Sequence, residues 1–310
     1  MNKSAAPTLL PPGVRVFERG WLSSNNILID CGHSTALVDT GYSTHSAQTV
    51  ALVQSESAVK PLGLVLNTHL HSDHCGGNAA LQQAFPSLRT LIPPGLAHAV
   101  QDWDPVALTY APTGQHCTQF RFDGLLLPGT EIDLGDVTWE VHGAPGHDPH
   151  SVILFEPDSR TLISADALWE NGFGIVFQEL EGVGAFDEVG ATLEIIDALK
   201  PRVVIPGHGS VFTDVGSALI SARARLQAFT RDPRKHARHA AKVLLKFKLL
   251  EIQRAALPDF MSWALGTVYF RLVHQRFFTE STMNVWLEQM VGELAASSAC
   301  RLEGPLILNN

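Results

Sequence analysis

Three imidazoles and a carboxylate fall within six residues in the stretch Thr68-His69-Leu70-His71-Ser72-Asp73-His74-Cys75-Gly76-Gly77. The stretch follows the apolar run Leu64-Val65-Leu66 and precedes a helical pattern from Asn78 to Phe85, so it reads as a turn from strand into helix. On a strand end, His69 and His71 stand two apart and point the same way, so both can reach one cation. Asp73 and His74 are adjacent in the turn and project towards a neighbouring position. Gly76 and Gly77 let the backbone turn tightly and pass close to the site. Imidazole and carboxylate donors without thiolate favour borderline cations such as zinc. The alternative is a histidine-rich loop that binds nothing, and a lone motif leaves both readings open.

The run from His69 to His74 resembles the HxHxDH signature of the metallo-β-lactamase-fold hydrolases, and further segments resemble the rest of that family's pattern in order. Gly143-Ala144-Pro145-Gly146-His147 is similar to its glycine-rich histidine turn, Ser164-Ala165-Asp166-Ala167-Leu168 to its bridging-carboxylate segment, and Pro206-Gly207-His208-Gly209 to its last histidine turn. Val38-Asp39-Thr40-Gly41 resembles an early strand-end motif whose Asp supports the site rather than ligating. The likeness runs from about residue 14 to 215. It implies two divalent metal ions, the first held by His69, His71 and His147, the second by Asp73, His74 and His208, with Asp166 between them. All seven positions carry the expected residue type. That separates the chain from one-iron relatives with a 2-His-1-carboxylate set and makes zinc the expected metal, with iron or manganese as alternatives. The implied fold is a four-layer αββα sandwich. The implied mechanism holds a water between two cations, where it ionises near neutral pH, with Asp73 orienting the hydroxide. Asp73 and Asp166 are therefore the expected catalytic carboxylates.

Other residues have two readings each. Asp39 either supports a ligand or shapes the turn before Gly41. Asp148 and His150, in Gly-His-Asp-Pro-His-Ser, either orient a ligand or contact substrate, or Asp148-Pro149 simply makes the turn. Trp169 and Phe173, set among glycines after Asp166, either face substrate or lie buried beneath a loop. Cys75 is expected to be a small packed residue. The irregular segment from Gln101 to Leu127 is expected to form an insertion over the cleft.

These groups must be carried by a layered scaffold. Val14–Phe17, Asn26–Ile29, Thr35–Val38, Leu64–Leu66, Val137–Val141, Ser151–Phe155, Thr161–Ser164 and Val203–Ile205 read as strands. Thr44–Glu56, with Thr44 as N-cap, and Phe186–Leu199 read as helices between them, which suggests an α/β protein with helices outside the sheets. After about Gly216 the pattern becomes helical: Ala218–Phe229, Ala237–Ala256, Pro258–His274 and Thr279–Ala296, then a short hairpin around Gly304. Residues 1–216 are expected to form the catalytic domain and 217–310 a small helical one. The last three of these helices before the hairpin suggest a winged helix, and a plain helical appendage has the same pattern.

With 310 residues, 45% of them hydrophobic and 17% charged, the chain can bury a large core and is not disordered. No apolar run approaches the ~20 residues that span a bilayer, so no membrane association is expected. Met1–Gly13 lacks an apolar signal core, and Cys31, Cys75, Cys117 and Cys300 show no CxxC spacing, so a cytoplasmic setting is expected. Of 22 Lys+Arg residues, ten lie between Arg223 and Arg254 beside only two acids, although the whole chain carries a net charge of −9. This basic stretch has three readings: a site for an anionic substrate or RNA, a helix face paired with acidic groups within or between subunits of a homo-oligomer, or solvated surface. The expected function is metal-dependent hydrolysis of a small ester-type substrate, thioester before lactone. The family's lactonases place a tyrosine beside the metals, and Tyr42, Tyr110 and Tyr269 fall in none of the matched motifs. The alternatives are a phosphodiesterase or endoribonuclease acting on RNA, which the acidic bulk disfavours, and a non-catalytic metal-binding regulator.

Overall fold

Alternation of apolar side chains along the strands builds two sheets face to face. The computed structural model describes residues 10–56 and 60–310. The first sheet holds β1 (Val14–Phe17), β2 (Asn26–Asp30), β3 (Thr35–Val38), β4 (Leu62–Leu66), β5 (Arg89–Ile92) and β6 (Gly124–Leu125), hydrogen-bonded in that order. β1 to β3 pair antiparallel and β3 to β6 parallel. The second sheet comprises β7 (Glu131–Leu134), β8 (Val137–Gly143), β9 (Val152–Glu156), β10 (Thr161–Ala165) and β11 (Val203–Pro206), in the order β11-β10-β9-β8-β7. Only β10 and β11 run parallel there.

Ile27, Ile29, Ala36, Val38 and Leu66 face Trp139, Val141, Val152, Leu154, Ile163 and Ile205 across the inter-sheet core. The intervening residues face outward. Leu28, Leu37 and Val65 pack with Val53 and Leu81 of the helices Ser46–Glu56 and Asn78–Ala84. Ile153, Phe155, Leu162 and Val204 pack with Leu193, Ile196, Ala218 and Leu219 of the helices Phe186–Leu199 and Val215–Arg231. The result is the four-layer αββα sandwich expected from the sequence.

The functional stretches leave this scaffold at one edge. β3 and β4 run parallel, as do β8, β10 and β11 through the antiparallel β9, and the chain from each carboxyl end leads to Asp39, the 69–74 stretch, His147, Asp166 and His208 respectively.

The C-terminal region departs from the sequence reading in three places. The helix expected over 237–256 runs from Pro233 to Ile252, where Gln253 turns left-handed and closes on the Leu249 carbonyl. Residues Arg254–Ala256 then form β12, which pairs with β14 (Leu306–Asn309) beside β13 (Cys300–Glu303). The single helix expected over 258–274 is two, Leu257–Gly266 and Val268–Phe277, broken where Thr267 adopts an extended backbone. The last helix, Met283–Ala296, starts later than expected, at a Thr282 hydroxyl cap. Near the N-terminus, Ser43–His45 is a 3-10 turn, so Thr44 caps nothing. The expected domain boundary at residue 216 falls inside the helix Val215–Arg231, whose apolar face belongs to the core of the second sheet. A separate core of Leu244, Leu245, Phe260, Phe270, Trp286 and Met290 begins in the next helix. We therefore propose Asp232 as the division between the two units.

Candidate metal centre

Asp39 follows β3 in the left-handed region, with φ of 57°, which an Asp tolerates better than most residues. The turn aims its buried carboxylate at the loop after β4. Its Oδ1 accepts the Thr68 backbone N–H at 2.9 Å, and its Oδ2 accepts the Thr68 hydroxyl at 2.8 Å and His74 Nδ1–H at 2.7 Å. His74 Nε2 is thereby turned inward, where it is buried without a hydrogen-bond partner among the described residues. His69 follows the same logic: Nδ1 lies 3.1 Å from the Thr68 hydroxyl and Nε2 is buried and unpartnered. His147 donates from Nδ1 to the Ile175 carbonyl at 2.6 Å and points Nε2 to within 2.8 Å of His71 Nδ1. Glycines allow the close approach. A Cβ on Gly76 would meet Ser43 N and Ser72 O at 2.5 Å, and one on Gly207 would collide with the Asp166 carboxylate.

Two triads of donor atoms result. His69, His71 and His147 converge on one side; Asp73, His74 and His208 converge on the other, with His208 Nε2 and Asp73 Oδ2 at 3.1 Å. Asp166 stands between. Its Oδ2 lies 3.3 Å from His147 Nε2, and its Oδ1 lies 3.5 Å from His74 Nε2 and 3.8 Å from His208 Nε2. A register irregularity in β10 and a left-handed Ala165, φ 46°, place that carboxylate at the edge of the sheet.

The electrostatics call for cations. Burial opposes the charged forms of Asp166 and Asp73, yet His74 and His208 outweigh it and hold both below the usual carboxylate range. Burial also disfavours protonated His74, but Asp166, Asp39 and Asp73 keep it well above the ordinary histidine value. His69 is driven well down by burial and by His74, and His147 is pushed down to about 4 by burial and His71. Among the described residues, no Lys or Arg lines the adjoining cavity. The donor set, the orphaned ring nitrogens and the buried carboxylates all fit divalent metal ions.

The cavity above these groups is lined by Trp21, Trp169, Ile175, Phe177, Val243, Leu244 and Phe247, with Thr109, Thr113 and Gln115 from the segment expected to form an insertion over the cleft. Trp169 lies in the wall, and its indole N–H donates to Asp166 Oδ1 at 3.1 Å. Asp148 Oδ1 accepts the His150 backbone N–H at 2.8 Å, which closes the turn, and its Oδ2 lies 3.8 Å from His71 Nε2, beyond hydrogen-bond reach. His150 and Phe173 do not line this cavity: the His150 ring is exposed and lies against Gly95, and Phe173 is buried against Phe229 beneath the second sheet, where it lines a neighbouring groove with Trp21, Trp169 and His208. Cys75 is packed, as expected. Sequence reasoning missed Trp21, which stacks on His208 at 5.4 Å, and Phe177, which sits edge-on to His71 at 5.2 Å. It also missed Val243, Leu244 and Phe247, which a helix read only for its charges brings to the cavity.

One peptide group ties the two units together. Its carbonyl, from Ile175, accepts His147 Nδ1–H, and its N–H, from Val176, donates to His236 Nε2 at 3.2 Å. Burial, with His239 nearby, pushes His236 down to about 3. A histidine kept neutral in the fold contributes stability that is present above its unfolded value near 6.5 and is lost as pH falls towards 3. His236→Gln should therefore flatten the acid limb of the stability curve by about 1 kcal/mol per pH unit below pH 6.5. Urea melts of both proteins at pH 7, 6 and 5 check this, and parallel curves would refute it.

Half of the ten bases in the basic stretch pair with acids of the chain. Arg223 bonds Glu194 and Asp197, Arg234 bonds Glu280, Arg238 and Lys242 bond Glu293, and Lys248 bonds Glu251.

Residues 19–208 match the family described as the metallo-beta-lactamase superfamily. The chain is 26% identical over 217 residues to hydroxyacylglutathione hydrolase of Brucella anthropi, covering 67% of this chain and 65% of that protein. It is 28% identical over 226 residues to acyl-coenzyme A thioesterase MBLAC2 of Homo sapiens, covering 64% of this chain and 77% of that one. The match thus spans about 65% of the length of the Brucella relative. A crystal structure of a metallo-beta-lactamase family protein from Thermus thermophilus shares the fold, with a TM-score of 0.58, 18% identity, and coverage of 97% of this chain and 99% of that one.

Proposed function

Because this chain belongs to the metallo-beta-lactamase superfamily, we propose that it is a metal-dependent hydrolase whose substrate is a small thioester. His69, His71 and His147 hold one divalent ion, Asp73, His74 and His208 a second, and Asp166 lies between, with zinc the expected metal. The position of Asp166, one oxygen towards each triad, carries this reading. Such a pair supplies, when bound, a Lewis acid for the carbonyl and a water acidified towards neutral pH.

The chain's own residues do the positioning. Asp39, Thr68 and the Ile175 carbonyl fix the imidazole tautomers so that Nε2 of His69, His74 and His147 faces inward. Trp169 fixes the Asp166 carboxylate by donating its indole N–H. Trp21, Phe177, Val243, Leu244 and Phe247 wall the cavity with apolar surface, which excludes water and suits an acyl chain. No tyrosine among the described residues lines the cavity, which supports thioester over lactone. The names of the Brucella and human relatives point the same way. We read the C-terminal unit, with its helix, strand, helices and hairpin, as winged-helix-like. No helix among the described residues is long and apolar enough to cross a membrane. A cytoplasmic setting is supported by four cysteines that are all unpaired.

The test is a panel of thioesters, lactones and phosphodiesters on metal-replete protein, together with metal analysis. The expected result is about two divalent ions per chain and thioester hydrolysis that a chelator abolishes and zinc restores. A folded, metal-free preparation with full turnover would overturn the reading, and cleavage confined to RNA would replace it with the phosphodiesterase.

A further inference from the structure

Beside the metal centre lies a second groove of about 390 Å³ that shares Trp21, Trp169, Ile175, His208 and Val243 with the cavity above the metals. Arg225, from the helix Val215–Arg231, lines this groove but not the cavity above the metals. This guanidinium differs from its neighbours in the basic stretch. It is half-buried, and among the described residues it makes no hydrogen bond or ion pair, whereas Arg223, Arg234, Arg238, Lys242 and Lys248 all pair with acids. Arg231, Lys235 and Arg254 are exposed to solvent and need no partner. Glu170, the acid in the groove's lining, is exposed and lies beyond 4 Å of the guanidinium. Gly172, with φ of 119°, makes the room: a Cβ there would come within 2.6 Å of Arg225 Cζ. Burial alone pulls the Arg225 guanidinium below its ordinary value, and no carboxylate raises it. The other titratable neighbour, His239, is pushed down to about 4 by burial, Arg225 and Lys242, so it is a neutral hydrogen-bonding group at pH 7.

A half-buried, unpaired cation beside a reaction centre is costly unless a ligand completes it. Resting on the hydrolase reading for the other end of the substrate, we infer that Arg225 anchors an anionic group, a carboxylate or a phosphate, on the part of the substrate remote from the scissile bond. The apolar cavity then takes the acyl chain, and Trp21 and Trp169 form the wall common to both arms.

Non-hydrolysable thioethers test this without depending on turnover. Three probes share one octyl chain and end in a neutral amide, a carboxylate or a phosphate, and calorimetry on metal-replete protein reads their affinities. The expected result is about tenfold tighter binding of at least one anionic probe than of the amide, with that preference gone in Arg225→Gln and partly kept in Arg225→Lys. Which anionic probe binds tighter identifies the group. Equal affinity for all three, or a preference that survives Arg225→Gln, would overturn the inference. Should the Gln variant not fold, Arg225→Met gives the same reading. A hydrolase that shows no anion preference sinks only the subsite; an anion preference with no thioester turnover sinks only the reading of the reaction.

Discussion

Asp166→Ala should lower thioester turnover at least about a thousandfold and release metal from the same preparation. Among the seven residues of the candidate centre, this carboxylate alone has an oxygen towards each triad, so its loss separates the two sites rather than weakening one. Removal also leaves His74 facing fewer acids, and the charge that Asp166 helps hold on that ring loses its first support. Asp166→Asn keeps the shape and the contact with the Trp169 indole but loses the negative charge. It should retain more metal than the alanine variant while still losing most of the rate. Inductively coupled plasma analysis and steady-state kinetics on both variants make the check. Wild-type turnover in the alanine protein would refute the assignment of Asp166.

Trp139→Ala should destabilise the fold by about 3–5 kcal/mol. The indole is fully buried in the middle of the inter-sheet core, among Val141, Val152, Leu154 and Ile163, where no rearrangement of loops can fill the space it leaves. Its ring N–H has no hydrogen-bond partner among the described residues, so the residue contributes through volume and apolar contact. Trp139→Phe should therefore cost well under half as much, because it keeps an aromatic ring and removes an unsatisfied donor. Urea denaturation of the three proteins separates these effects, and an alanine variant as stable as the phenylalanine one would disprove the packing account.

Which features could be read in advance follows from how locally each is encoded. Buried strands announce themselves through short apolar runs, and β1 and β3 have the expected ends because their boundaries are set by neighbouring turn residues. The histidine stretch could be located because its ligand types are adjacent in the chain, and Asp39 because it sits at a strand end before a glycine. His150 and Phe173 drew notice through closeness in sequence to His147 and Asp166, but the His150 ring lies against Gly95 away from the cavity, and Phe173 enters the core beneath the second sheet and lines the neighbouring groove instead. Strand β12 was hidden inside a helical pattern because Arg254-Ala255-Ala256 has no strand character of its own; it is extended because β14 offers it an edge some fifty residues later. The apolar lining from Val243, Leu244 and Phe247 was masked by the lysines around it. Helical spacing puts these charges and the apolar groups on different sides of one cylinder, and only the cavity shows which side matters.

The peptide between Ile175 and Val176 makes the tail an unsuitable part to exchange. A chimera carrying a foreign appendage on residues 10–231 would keep all seven side chains of the candidate centre, but His147 would lean on a carbonyl whose opposite end had come adrift from His236. Swapping modules in this architecture thus transplants part of the foundation beneath the reaction centre, and a designer seeking new specificity would do better to repaint the inner wall of the existing helix.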